Sequence, residues 1–214
     1  MQIIGLTGSI AVGKSTVVEL LQHKHIPVFD ADKTVHQLYA KGGKAVAFVA
    51  ALVPTSLCDG AIDRAIVSQA ILKDPTLLRK IERIVHPLVQ LEKKRFLQWA
   101  RRTHQSLVVL DIPLLLEKNT PGAYDQIVVV TCPTAIQEER AMRRKGMTPE
   151  KFKSIRTQQL SESEKIKRAT YVIDTASTKA NTAHQVEAML KQFLEHPSTK
   201  RVVLRRKRNK KPLD

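Results

Sequence analysis

Cysteine, aromatic residues and long apolar runs are all scarce in this chain. Two cysteines, Cys58 and Cys132, are too few for a stapled secreted scaffold and lack metal-ligand spacing. Cys132 follows Ile127-Val128-Val129-Val130 and reads as a buried thiol without chemistry. Aromatic residues are 4% of the chain, with a single tryptophan, Trp99. Single-strand nucleic-acid readers need aromatic platforms among their basic residues, and none is seen. The longest apolar run, Leu107 to Leu116, carries Asp111 in its middle and falls short of the ~20 residues of a membrane helix. Met1 leads almost directly into Ile3-Ile4-Gly5-Leu6, without the pattern of a signal peptide. The expectation is a soluble cytoplasmic protein that engages no membrane; oligomeric state stays open.

Acid is scarce too. Against 36 Lys plus Arg stand 20 Asp plus Glu, a net charge of +16. Residues 197–214 hold eight basic residues and one acid, Asp214, so they account for +7 and leave +9 on the other 196 residues. A body of that charge favours anionic partners such as phosphate esters or nucleic acid, and speeds their encounter. The segment after His196-Pro197 shows no helical or strand period and is expected to be disordered. The 43% of apolar residues in 214 residues is enough for a globular core.

Five short aliphatic runs read as buried strands: Gln2 to Thr7, Ile26 to Phe29, Leu107 to Ile112, Gln126 to Thr131 and Tyr171 to Ile173. Helical patterns separate them, which predicts an α/β fold with a parallel sheet covered on both faces. Between the second and third runs lie more than seventy residues of helical character. There Asp74-Pro75 marks a helix start, and Leu77, Leu78, Ile81, Ile84, Val85 and Leu88 form its apolar stripe. A plain crossover needs one helix, so this block reads as an inserted helical subdomain. A second insertion, rich in charge and helix formers, spans Ala135 to Arg168.

Gly8-Ser9-Ile10-Ala11-Val12-Gly13-Lys14-Ser15 fits the phosphate-loop pattern G-x-x-x-x-G-K-[ST], with a strand before it and a helical run after it. By average composition the four fixed positions occur by chance in about 1% of chains this long. The glycines let successive backbone N–H groups face a phosphate. Lys14 reaches the β- and γ-phosphates and the Ser15 hydroxyl ligates Mg²⁺. A nucleoside triphosphate is therefore the expected ligand.

Asp30-Ala31-Asp32 ends the second strand, at the carboxyl edge where open α/β sheets bind ligands. One carboxylate could hold a Mg²⁺-bound water while the other accepts a hydroxyl proton; the alternative for Asp32 is to cap the following helix. Asp111 closes the third strand, where phosphate-loop enzymes place a partner of Mg²⁺; the alternative is a satisfied buried acid. Gln137, Arg140 and Arg144, spaced by three and four, share one helix face and could clamp a transferring phosphoryl group; the alternative is a solvated face.

Taken together these residues resemble the dephospho-coenzyme A kinases. The resemblance rests on Ile4 to Ser15, Phe29-Asp30-Ala31-Asp32 and Gly60-Ala61-Ile62-Asp63-Arg64. It extends through His86-Pro87-Leu88-Val89, Leu110 to Glu117, Gln137, Arg140, Arg144 and Gln158-Gln159, roughly residues 1 to 195. It implies a P-loop kinase fold: a five-stranded parallel sheet flanked by helices, a helical substrate-binding insertion and a helical lid. The implied layout is a nucleotide-binding core at 1–33, 101–134 and 169–196, a dephospho-CoA-binding domain at 34–100, a lid at 135–168 and the basic tail at 197–214.

The activity that the resemblance implies is ATP-dependent phosphorylation of the ribose 3′-hydroxyl of dephospho-CoA, giving CoA and ADP. It implies Lys14, Asp32 and Arg140 as catalytic, with Asp32 as the base. ATP would be held by Ala11, Val12, Gly13, Lys14, Ser15, Thr16 and Arg144, and Mg²⁺ by Ser15, with Asp30 and Asp111 acting through water. Thr7, Asp32, Arg64 and His86 would hold dephospho-CoA. The chain departs from the family's usual residues at Gln90 (Arg), at Leu116 (Phe), and at Ala169-Thr170 and Asp174-Thr175, where Ala-Asp and Asn-Gly are typical. Two rivals are a kinase for nucleoside monophosphates or shikimate, and a nucleic-acid-binding ATPase whose binding would be strongly salt-dependent. The long helical block around His86-Pro87 argues against the first. The lack of an aromatic platform argues against the second, and nucleic acid is not expected to be obligatory.

Overall fold

The computed structural model describes residues 1–117, 122–198 and 202–204. In chain order the elements are β1 (Gln2–Gly8), α1 (Lys14–His23), β2 (Val28–Asp30), α2 (Ala31–Tyr39) and α3 (Val46–Leu52). There follow β3 (Leu57–Cys58), β4 (Ala61–Ile62), α4 (Arg64–Lys73), α5 (Thr76–Arg102) and β5 (Leu107–Asp111). Then come β6 (Gly122–Tyr124), β7 (Gln126–Thr131), α6 (Thr134–Met142), α7 (Pro149–Thr157), α8 (Glu162–Arg168), β8 (Tyr171–Asp174), α9 (Lys179–Glu195) and β9 (Val202–Leu204). Two compact units result, Met1–Phe29 with His104–Asp214, and Asp30–Thr103.

The first unit is built on a five-stranded parallel sheet of order β2-β5-β1-β7-β8. All five strands sit where the aliphatic runs predicted them. Parallel ladders set Leu6 beside Asp111, Gly8 beside Val130 and Thr131 beside Asp174, so the strand ends share one carboxyl edge. Strands buried on both faces explain the near-continuous Val and Ile runs. On one face Ile4, Leu6, Val109, Val128 and Val130 pack with Val17, Val18 and Leu21 of α1 and Val186, Met189 and Phe193 of α9. Burying a side chain of this size is worth roughly 1.5–3 kcal/mol. Gly5 has no room for a side chain: a Cβ there would stand 2.7 Å from Leu115 Cδ2 and 3.0 Å from Tyr124 Cδ1. Tyr124 is fully buried, and burial pushes its phenol up to about 12.

The tail is corrected in part. Val202–Leu204 forms β9, antiparallel to β6 with Tyr124 opposite Val202, where no regular structure was expected. The signal was the apolar triplet Val202-Val203-Leu204 amid basic residues, too short to register as a period. The basic residues Lys200, Arg201 and Arg205 to Lys211 lie outside the described residues.

The second unit is helical around Leu38, Tyr39, Val49, Ile62, Val67, Ile81 and Val85. Helix α5 begins at Thr76, one residue later than expected, with Asp74 Oδ1 accepting from Thr76 N at 2.9 Å and Thr76 Oγ1 at 2.7 Å. Those two bonds hold the Asp74 carboxyl below its ordinary range. Of the apolar stripe, Ile81 and Val85 are buried while Leu78 is exposed. Pro87 lies within the 27-residue helix, where it removes one donor from the ladder.

Candidate functional site

Gly8 closes β1, and the chain turns through Ser9–Gly13 into α1, so the phosphate loop joins a buried strand to a helix N-terminus as its sequence required. Gly13 caps α1 at φ 82° with no side-chain cap, and Ala11 also takes a left-handed φ of 60°. A Cβ on Gly13 would stand 3.1 Å from Thr175 Oγ1 and 3.3 Å from Arg140 Nη1, so the loop backbone is approached closely from two sides. Helix α1 thus opens with unspent backbone donors and the positive end of its dipole, the elements of an anion site.

Lys14 Nζ pairs with Asp111 Oδ1, joining the loop to the end of β5. Both groups are shielded, with side-chain exposures of 18% and 7%. The Ser15 residue is exposed at the first turn of α1. Ser15 and Asp111 offer the hard oxygen donors that Mg²⁺ takes, together with phosphate and water. Among the described residues, no group of three or more His, Cys, Asp or Glu is placed to hold a metal ion by itself.

A cleft of about 310 Å³ opens beside the loop, lined by Ala11, Gly13, Ser15, Thr16, Arg140 and Arg144, with Thr175 and the start of α9 closing it. Arg140 donates through Nη1 to Thr175 Oγ1 at 3.0 Å and through Nη2 to the Thr175 carbonyl at 2.7 Å. Thr175 in turn donates its hydroxyl to the Val12 carbonyl. Arg140 and Arg144 do come together, although not on one helix face. Helix α6 ends at Met142, and Arg144 reaches the cleft from the following turn. Gln137 is fully buried, donating to the Cys132 carbonyl at 2.9 Å, and so holds the start of α6. Burial pushes the Cys132 thiol up, which agrees with an inert side chain.

Thr7 and Val12 point away from the cleft. Thr7 is fully buried and its hydroxyl donates to the Pro113 carbonyl at 2.8 Å, so it secures the turn after β5 instead of offering that hydroxyl to a ligand. Val12 is 1% exposed and contributes to the loop through its backbone.

In the helical unit, Asp30 caps α2: its Oδ1 accepts from Lys33 N at 2.8 Å. The capping role weighed for Asp32 therefore belongs to Asp30, and the Asp32 residue lies exposed in the first turn of α2. His36 stands one helical turn after Asp32 on the same face. Arg64, at the start of α4, donates to the ring of His36. Asp63 caps that helix through Ala65 N at 2.7 Å and Ile66 N at 3.3 Å. Tyr39 is held above its ordinary range by burial, countered by the Arg64 charge. His86 Nε2 lies 3.9 Å from Glu82 Oε1 on α5.

Sequence reasoning missed His36, Thr175 and the buried Lys165, whose ammonium donates to Ser9 Oγ of the phosphate loop at 2.8 Å. A lone histidine four residues from an acid and a lysine in a charge-rich run carry no signal. Thr175 was noticed only as a departure from the family's usual residue.

Comparison with known proteins supplies the family. The family described as dephospho-CoA kinase matches residues 2–181. The chain is 42% identical over 196 residues to the dephospho-CoA kinase of Bartonella henselae, covering 92% of this chain and 100% of that one. To the dephospho-CoA kinase of Rhizobium meliloti it is 45% identical over 190 residues, 89% of this chain and 97% of that one. A solved structure from Thermus thermophilus superposes with a TM-score of 0.75 at 31% identity, covering 89% and 97% of the two chains. Dephospho-CoA kinase from Campylobacter jejuni shares the fold, with a TM-score of 0.67 at 21% identity over 90% and 97%. A phosphate loop closed by Lys14 and Asp111, a five-stranded parallel sheet and these alignments over nine-tenths of the chain lead to one conclusion: the chain belongs to the dephospho-CoA kinase family.

Proposed function

We propose that this chain transfers the γ-phosphoryl group of ATP to the ribose 3′-hydroxyl of dephospho-CoA. The observation that carries the reading is the ion pair of Lys14 with Asp111 at the end of a loop in which Ala11 and Gly13 are left-handed. It keeps an ammonium and a carboxylate poised where a triphosphate and its metal would meet. Lys14 leaves Asp111 for the β- and γ-phosphate oxygens, and Arg140 and Arg144 neutralise charge from the cleft wall. Ser15 would hold Mg²⁺ directly, with Asp111 through water; the metal would neutralise charge on the transferring group. Asp30, with Oδ1 engaged in capping α2, would meet the metal through water by its other oxygen.

Asp32 orients the acceptor hydroxyl and takes its proton, a role open to it because the capping is done by Asp30. Arg64, braced by His36, and His86 would bind the anionic groups of dephospho-CoA. Residues 34–100 then act as the substrate domain and 135–168 as the lid. Among the described residues no helix is long and apolar enough to cross a membrane. We place the reaction in the cytoplasm and assign it no obligatory nucleic acid.

The test is ADP release with Mg²⁺-ATP, offering dephospho-CoA, shikimate and nucleoside monophosphates separately. Turnover is expected with dephospho-CoA alone. Asp32→Asn should lower kcat by about 10²–10⁴ with little change in KM for ATP, the loss expected on removing a general base. Lys14→Ala should abolish turnover. Silence with every acceptor from a folded, ATP-binding protein would overturn the proposal.

A further inference from the structure

The phosphate loop is fastened from behind by side chains that have no part in the reading above. Lys165 of α8 is fully buried, and its ammonium donates to Ser9 Oγ at 2.8 Å and pairs with Glu117 Oε1 at 2.8 Å. The same Glu117 oxygen accepts from Leu160 N at 3.3 Å. One residue along, Ile10 N donates to Gln159 Oε1 at 3.0 Å. Helix α8 is itself anchored, because Thr131 Oγ1 at the end of β7 donates to Glu162 Oε2 at 2.8 Å.

Stability alone is a poor reason for this arrangement. A buried ion pair is often no better than an apolar pair of the same shape. Here Glu117 Oε2 is also left buried without a hydrogen-bond partner among the described residues. What the pair does secure is geometry. Ala11, two residues beyond Ser9, holds a left-handed φ of 60° that a non-glycine residue keeps only where its surroundings enforce it.

We infer that Lys165 is a positioning residue for phosphoryl transfer, fixing Ser9 so that the amides of Ala11 to Lys14 keep the turn that receives phosphate. Glu117 and Gln159 complete the strut. The inference rests on the phosphate-loop reading above. It also divides the segment 135–168. Residues 159–168 stay with the sheet as a fixed support, and lid movement is confined to the part before them.

The experiment uses the full chain with Ser9→Ala, Lys165→Met, and the pair Lys165→Met/Glu117→Leu. ATP affinity is read by calorimetry, kinetics with both substrates are measured, and amide exchange of residues 9–13 is followed without nucleotide. Ser9→Ala keeps the Lys165–Glu117 pair but takes one acceptor from a buried ammonium, so its urea midpoint should fall modestly while ATP binding weakens about tenfold, the effect of one charge-assisted hydrogen bond. KM for dephospho-CoA should not move. The double variant should regain the stability lost in Lys165→Met, yet bind ATP about tenfold more weakly, with faster exchange at 9–13.

A double variant with wild-type ATP affinity and exchange would overturn the inference, since the pair would then be packing alone. So would Ser9→Ala with unchanged ATP affinity and exchange, which decides the matter if the double variant does not fold. A wild-type chain that fails to bind ATP would overturn the kinase reading instead, and the exchange comparison would still decide the role of Lys165.

Discussion

Thr175 offers the sharpest test of how this site is held. The side chain is 4% exposed and its hydroxyl bridges the Val12 carbonyl of the phosphate loop, to which it donates, and Arg140 Nη1, from which it accepts, with the Thr131 carbonyl 3.4 Å away. Thr175→Val keeps the shape and removes both bonds. The Val12 carbonyl would be left buried without that donor, in a residue only 1% exposed. An unsatisfied buried acceptor costs about 1–3 kcal/mol, so a loss of about 2 kcal/mol is expected. With a denaturant slope of about 3 kcal/mol/M, the urea midpoint falls by about 0.7 M. Arg140 keeps its 2.7 Å bond to the Thr175 carbonyl, so the cleft survives. KM for ATP should rise severalfold, because Arg140 and the loop lose their shared brace. Thr175→Ser restores the hydroxyl and should restore both values. A Val variant with the wild-type midpoint and KM would refute the reasoning, since the hydroxyl would then hold neither neighbour.

Gly8→Ala would place a Cβ 2.7 Å from the Val130 carbonyl and 2.8 Å from Val12 Cγ2. A carbonyl of a central strand cannot retreat, so a cost of about 1–3 kcal/mol and weakened ATP binding are expected by urea titration and calorimetry. Gly42→Ala, at φ 76° with nothing within 4 Å of the added Cβ, should cost only about 1–2 kcal/mol of left-handed strain and leave ATP binding untouched. Equal effects of the two substitutions on ATP binding would contradict the geometry. Burial holds Lys93 below the usual lysine range. The unfolded chain therefore binds more protons between that lowered pKa and about 10.4, and stability should rise with pH across this window. Lys93→Met should flatten this rise of stability with pH in urea titrations. The same rise in the variant would show that Lys93 is not its source.

The sheet and the phosphate loop were legible without coordinates. Each strand of the main sheet is a short Val, Ile or Leu run flanked by turn residues, because parallel strands covered on both faces must be apolar throughout. The loop is legible for a related reason: cradling a phosphate with backbone amides needs glycine, lysine and serine at set spacing within eight consecutive residues. Local chemistry of this kind leaves a local signature. The reach of α6 was misjudged because spacing alone continues a helix through Arg143, and only the turn at Met142 brings Arg144 to the cleft from outside it. Strand β9 escaped notice because three apolar residues acquire meaning only when Gly122–Tyr124 lies alongside.

The contacts across long sequence distances belong to the tertiary structure. Lys14 meets Asp111, Val12 meets Thr175, and Ser9 meets Lys165, pairs separated by 97, 163 and 156 positions. Nothing near Lys165 in the chain distinguishes it from its solvated neighbours Lys167 and Arg168. Its partners become visible only when α8 is laid against the sheet. Periodicity and motif spacing record what a residue needs from its immediate neighbours. Which carboxylate steadies which cation is decided by the register of the strands and the packing of helices on them.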